Sequence, residues 1–254
     1  MSPDGAPVAV VTGGTGAIGS SVCRRLAERG FNIAATYTSR SQTAVEVMRH
    51  TESTGQSALI EVVDLRQSAA VSRFLERTTD ELGNPAVVVH AAGPYVPQIH
   101  VSRLVPGLFE SHLNDELIAF YHLVAAALPA LRSTSGSLVA VTSFAVRSIT
   151  ARDVLSAAPK AGIEALVNTV AVEEGRFGVR ANYVAPGVLS DGIGASLAAS
   201  QVFDTATLNH IRSEIPVRRL GRADEVAAVV PFLVSSDASY VTAQCIDVDG
   251  GLGA

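Results

Sequence analysis

Short, nearly unbroken apolar runs alternate along this chain with longer stretches of helical period. Residues 8–11, 32–36, 58–63, 86–90, 137–142, 180–184 and 244–248 form the apolar runs, rich in valine, isoleucine and alanine. Their lack of polar alternation marks strands buried on both faces. Between them, residues 17–29, 42–53, 69–82, 101–131, 155–174 and 223–235 carry the spacing of amphipathic helices. Strand–helix alternation requires right-handed crossovers, and so predicts α/β architecture: a single doubly wound parallel sheet with helices on both faces, spanning residues 1–254 as one domain. Gly30, Gly83 and Gly178 fall just past helix ends, where a left-handed cap favours glycine. Residues 187–220 are small and polar with one short helical patch, and read as a substrate loop. Phe203 is its one aromatic residue, which fits an apolar or flexible ligand.

Composition narrows the partners. At 48% hydrophobic and 17% charged residues over 254 positions, the chain buries a large core and is not disordered. A net charge of −5 leaves no basic footprint, so nucleic acid is not an expected partner. Residues 1–7 are short and polar, with neither the basic region nor the apolar core of a signal peptide. The most apolar helical stretch, 117–131, is broken by His122 and Pro129 and is too short to span a bilayer. A cytoplasmic protein with no membrane partner is expected, with Cys23 and Cys245 as free thiols and no metal site.

The first strand runs directly into Gly13-Gly14-Thr15-Gly16-Ala17-Ile18-Gly19 and then a helix. Glycines at 13, 16 and 19 allow a tight turn, close approach of a pyrophosphate and close helix–sheet packing. The helix N-terminus adds N–H donors and positive dipole for the phosphates. The second strand ends in Thr36-Tyr37-Thr38-Ser39-Arg40, with no carboxylate to accept from a ribose 2′-OH. Arg40 with Ser39 instead suits a 2′-phosphate, onto which a guanidinium forks, so NADP(H) is the expected cofactor. Asp64 and Leu65, after the third strand, are expected beside the adenine.

Together these segments resemble the short-chain dehydrogenase/reductase family, a Rossmann-type fold, over essentially the whole chain. The resemblance rests on the residues from Thr12 to Gly19, His90-Ala91-Ala92-Gly93, Asn114, Ser143, Lys160-Ala161-Gly162 and Asn182-Tyr183-Val184-Ala185-Pro186-Gly187. The segments Arg219-Leu220-Gly221-Arg222 and Asp247-Val248-Asp249-Gly250-Gly251 look most like the 3-oxoacyl-thioester reductase branch. The resemblance implies cofactor contacts from Gly13, Thr15, Gly16, Ile18, Gly19, Ser39, Arg40, Asp64, Leu65, Ala91, Ala92, Gly93, Lys160, Pro186, Gly187 and Val188. It implies that Lys160 binds the nicotinamide ribose, Ser143 polarises the substrate oxygen and Asn114 anchors a water in the proton relay.

Four residues before Lys160, where that family keeps a tyrosine acid, the chain has Ser156. A serine hydroxyl is shorter and far less acidic than a phenol with a pKa of about 10. Dienoyl- and enoyl-thioester reductases also show Ser-xxx-Lys, but with a separate tyrosine at the position of Ala145 here. Tyr95 and Tyr183 are the nearest remaining phenols in sequence and read as loop or packing residues. Asp191 stands where a threonine often holds the carboxamide, and His90 replaces the first asparagine of its motif; His90 reads as a hydrogen-bonded packing residue, with a titrating relay as the alternative. Three readings stay open at this stage. The first is an NADPH-dependent reductase of a carbonyl or carbonyl-conjugated alkene on a small-molecule or carrier-bound acyl or polyketide-like substrate. The second is a dehydratase, isomerase or cyclase on the same scaffold, and the third a catalytically silent cofactor-binding subunit. The long helices 101–131 and 155–174 resemble those that pair between subunits in the family, so a homodimer or homotetramer is expected.

Overall fold

Every residue of β1 (Val8–Thr12) and of β5 (Ser137–Val141) is buried, as strands covered on both faces must be. They belong to one seven-stranded parallel sheet with β2 (Asn32–Tyr37), β3 (Ala58–Val62), β4 (Pro85–His90), β6 (Arg180–Pro186) and β7 (Cys245–Val248), in the order β3-β2-β1-β4-β5-β6-β7. The computed structural model describes residues 5–192 and 205–254. Phe203 and much of the predicted substrate loop lie outside the described residues.

Helices cover both faces. On one, α3 (Ser68–Leu82), α5 (Ala119–Thr134) and α6 (Val154–Glu174) pack Phe74, Phe120, Leu123, Leu131, Ile163 and Val167 into one apolar cluster. On the other, α1 (Ala17–Ala27) and α2 (Ser41–Ser53) contribute Val22, Leu26 and Val47 to a second cluster. The remaining α-helices among the described residues are α4 (Pro106–Leu113), α7 (Thr205–Glu214), α8 (Ala223–Ala227) and α9 (Val230–Val234). Between β1 and β4 the strand order reverses, so the loops beyond their carboxyl ends diverge and open a crevice. Gly30 takes positive φ and Gly178 the left-handed conformation expected past a helix, whereas Gly83, at φ 104 and ψ 176, ends its helix in an extended glycine conformation rather than a left-handed cap.

Two predicted helices are interrupted. The stretch 223–235 is two short helices, with Pro231 in the first turn of α9, where its missing N–H leaves no intrahelical bond unmade. The stretch 101–131 begins with a short 3-10 turn (Val101–Arg103) and then passes from α4 through a π-helical turn (Asn114–Ile118) into α5. From Pro106 to Thr134 the helical run is 29 residues, so the helix containing the apolar stretch 117–131 is itself long and apolar enough to cross a membrane by length and composition. Here Phe120, Leu123, Val124, Ala127 and Leu131 pack instead into the cluster beneath the sheet. Cys23 is buried and Cys245 half-buried, both as free thiols.

Candidate active site

The glycine turn after β1 is built by contacts that exclude side chains. Gly13 takes φ +69, and a Cβ there would lie 2.6 Å from the Ala92 backbone beyond β4. A Cβ at Gly19 would overlap the carbonyl oxygen of Gly13, so only glycine lets α1 approach the turn this closely. Gly16 donates its N–H to Gly13 O at 2.9 Å, and Gly14 donates to Thr36 O at 2.9 Å, tying the turn to β2. At the start of α1, Gly16 offers no side-chain cap and the first turn holds no acidic residue. The first-turn N–H groups therefore keep their capacity to bind an anion. Thr15 is buried and Ile18 half-buried at the same end of the helix.

Ser39 and Arg40 are exposed beyond β2, and no ion pair engages Arg40 among the described residues. Asp64 is held by a two-pronged contact from Arg66, at 2.8 and 2.9 Å. That guanidinium keeps the Asp64 carboxyl below its usual range. Leu65 packs against the core, and its carbonyl bonds His122 Nδ1 at 3.0 Å. These groups fit an extended dinucleotide: a backbone donor cradle at β1, a lone guanidinium at β2 and a small-residue floor of Ala91, Ala92 and Gly93 at β4.

The reacting end forms around Lys160. Its Nζ donates to Glu116 Oε2 at 2.9 Å, and the Glu116 side chain is 1% exposed against 13% for Lys160. A Cβ added to Gly93 would lie 3.3 Å from Glu116 Oε1, so this ion pair sits beneath the loop that leaves β4. Asn114, by contrast, is exposed, on a surface hollow with Arg66, Glu110 and Asp115, and the structure does not bring it to Lys160. The π-helical turn presents Glu116 there instead. Ser156 is buried one turn before Lys160 on the same face of α6. Ser143 caps the short turn after β5, and its Oγ accepts from Ala145 N at 3.2 Å, which leaves its hydroxyl hydrogen available to a ligand.

Asp153 precedes α6, and its Oδ1 accepts from Gln98 Nε2 at 3.0 Å. Burial raises the Asp153 carboxyl above its usual range, opposed by the Gln98 hydrogen bond and by Lys160 and reinforced by Glu116. His90 shares a 2.8 Å hydrogen bond with Thr12 Oγ1 and tilts against Phe120 at 5.0 Å. Complete burial, with Lys160 nearby, pushes its pKa down to about 3. His90 is thus a neutral packing residue, not a titrating relay. Asp191 uses both carboxylate oxygens to accept from Ala223 N, at 2.9 and 3.1 Å, and anchors the start of α8. Tyr95 is exposed in the loop after β4, and Tyr183 packs in the core beside Asn168. Pro186 ends β6, and a Cβ at Gly187 would lie 2.7 Å from Asp249 Cα, so that turn too requires glycine, with Val188 half-buried beyond it.

A family model described as enoyl-(acyl carrier protein) reductase matches residues 14–253. The chain belongs to the short-chain dehydrogenase/reductase family. Among its relatives, a 3-oxoacyl-[acyl-carrier-protein] reductase of Pseudomonas aeruginosa is 30% identical over 96% of both chains. A probable 2,4-dienoyl-CoA reductase of Bacillus subtilis is also 30% identical, over 95% of this chain and 94% of its own. The solved structure of a blue fluorescent protein from a metagenomic library, in complex with NADPH, superposes with a TM-score of 0.88 at 28% identity over 98% of each chain.

As a member of the short-chain dehydrogenase/reductase family the chain is an oxidoreductase, and its cradle together with the NADPH-bound neighbour supports a nicotinamide cofactor. Sequence reading missed Glu116, Asp153 and Gln98 at this site. Glu116 had a signal: it lies four residues before Phe120 and seven before Leu123, a charge on the apolar face of its helix. Such a position needs a buried partner, and Lys160 is that partner.

Proposed function

We propose that this chain is an NADPH-dependent reductase acting on the carbonyl, or the carbonyl-conjugated alkene, of an acyl-thioester or polyketide-like substrate. One observation carries the reading: Lys160, the single lysine of the chain, is half-buried and paired with the buried Glu116 below Gly93, in the crevice where the strand order reverses. A half-buried cation on a buried carboxylate, beside a dinucleotide cradle, has a purpose there that packing alone does not supply. The similarity to 3-oxoacyl- and dienoyl-thioester reductases supports the substrate class.

In this reading Gly13, Thr15, Gly16, Ile18 and Gly19 hold the pyrophosphate, Ser39 and Arg40 the 2′-phosphate, and Asp64 and Leu65 flank the adenine. Ala91, Ala92, Gly93, Pro186, Gly187, Val188 and Lys160 hold the nicotinamide half. When bound, the reduced nicotinamide supplies a hydride to the substrate carbon. Ser143 donates its hydroxyl hydrogen to the substrate oxygen, where negative charge develops. Lys160 stabilises the same charge and Glu116 fixes its ammonium. Ser156 offers no acid of its own.

The test mixes purified protein with NADPH and a panel of enoyl and 3-oxoacyl thioesters and follows the nicotinamide absorbance. Consumption of NADPH with at least one thioester is expected. Tight NADPH binding without turnover on any of them would instead make the chain a silent subunit. Product formed without NADPH consumption would make it a dehydratase, isomerase or cyclase.

A further inference from the structure

We infer that Asp153 is the acid that protonates the substrate, standing one helical turn above Ser156 and held over the crevice by Gln98. The inference rests on the reductase reading above. Ser156 and Lys160 lie one turn apart on one face of α6, and Asp153 is the residue just before that helix, near enough to Lys160 and Glu116 to feel both charges. Two contacts fasten the loop after β4 to the start of that helix. Gln98 Nε2 donates to Asp153 Oδ1 at 3.0 Å, and Ile99 N donates to Arg152 O at 3.1 Å. Arg152 itself takes φ +70, a left-handed conformation that a non-glycine residue adopts only when its surroundings impose it. That turn brings Asp153 to the start of α6 as a half-buried carboxyl rather than a solvated one.

The electrostatics agree with the geometry. Removal from water favours the protonated form of Asp153, and the Glu116 carboxylate favours it further. Gln98 and Lys160 act in the opposite sense, toward the carboxylate. A carboxyl held above its ordinary range keeps a proton to give and loses it readily to a stronger base. In the step, the substrate carbon gains the hydride that a bound reduced nicotinamide would give up on its own oxidation, and the π electrons of the C=O bond move to oxygen, or through the conjugated system to an enolate. The Asp153 O–H bond then breaks, its proton passes to the oxygen or to the enolate carbon, and Asp153 is left as carboxylate. Solvent returns the proton. A short side chain at 156 leaves space for that transfer, directly or through one water.

Two measurements test the assignment. In the free protein, difference infrared titration should show a protonated carboxyl persisting above the ordinary aspartate range, and Asp153→Asn should abolish that signal. In turnover with NADPH and a thioester, Asp153→Asn should lower kcat by about 100-fold or more while NADPH affinity stays within about twofold. Gln98→Leu guards against a merely structural effect. Removing the donor that favours the carboxylate should move the falling, high-pH limb of kcat to higher pH. An Asp153 carboxyl titrating in the ordinary range, an unchanged kcat in Asp153→Asn, or an unmoved limb in Gln98→Leu would overturn the assignment alone. No turnover in the unmutated protein would overturn the reductase reading, and the assignment with it.

Discussion

At the residue scale, the site is defined by which charges have partners. Arg66, Arg132, Arg147 and Arg219 are engaged by carboxylates; Arg40, like Arg49 and Arg73, has no ion pair among the described residues, and it is the one that stands with Ser39 just beyond β2. A charge-assisted contact contributes about 1.5–3 kcal/mol. Arg40→Ala should therefore weaken NADPH by roughly ten- to hundredfold and leave NADH nearly unchanged, as measured by fluorescence titration; equal losses for both would remove the 2′-phosphate assignment. His90 carries a pH prediction. Its folded pKa is about 3 against an ordinary 6.5, so below pH 6.5 the unfolded chain takes up a proton that the folded one refuses. Stability thus falls as pH drops through that window, by up to about 1.4 kcal/mol per unit. Urea unfolding between pH 7 and pH 4 should show this slope, and His90→Asn should flatten it; an undiminished slope would assign the acid sensitivity to other groups.

At the scale of elements, local signals were legible and long-range ones were not. The glycine turn between β1 and α1 could be read from Gly13, Gly16 and Gly19 because its constraint is local: each lacks room for a side chain or a tolerable φ. Gly19→Ala tests this directly. The added methyl must displace the Gly13 carbonyl, so the variant should fold with reduced stability and lose most of its NADPH affinity; retained affinity would mean the turn can relax. The helix carrying Glu116 was harder to read. Its apolar period from 117 to 131 was visible, but the π-helical turn that aims Glu116 at Lys160 leaves no composition signal of its own. A motif-based assignment therefore settled on Asn114, two residues away, on the solvent side. The Asp153–Gln98 contact joins residues 55 apart in sequence, and periodicity carries no information about it.

At the scale of the whole molecule, the parallel sheet with its alternating helices was legible because strand burial leaves continuous apolar runs, whereas the strand order came only from the structure and association was legible only by resemblance. The outer face of α6 now adds a physical reason to expect it. Ala161, Ala165, Thr169 and Val172 form an exposed stripe of small and apolar residues, and Tyr121 on α5 is also exposed. Such a stripe lets helices of two subunits approach closely. Light scattering should find a homodimer or homotetramer, and Ala165→Arg should shift it toward monomer; a stable monomer in the unmutated protein would remove the expectation. The central claim, that this chain moves a hydride from NADPH to a thioester substrate, is tested most directly with NADPH deuterated at the transferring position of its nicotinamide. Mass spectrometry of the product should show one deuterium bonded to carbon in the reduced acyl chain. Product without deuterium from either face of the nicotinamide, or unconsumed NADPH throughout, would contradict the account.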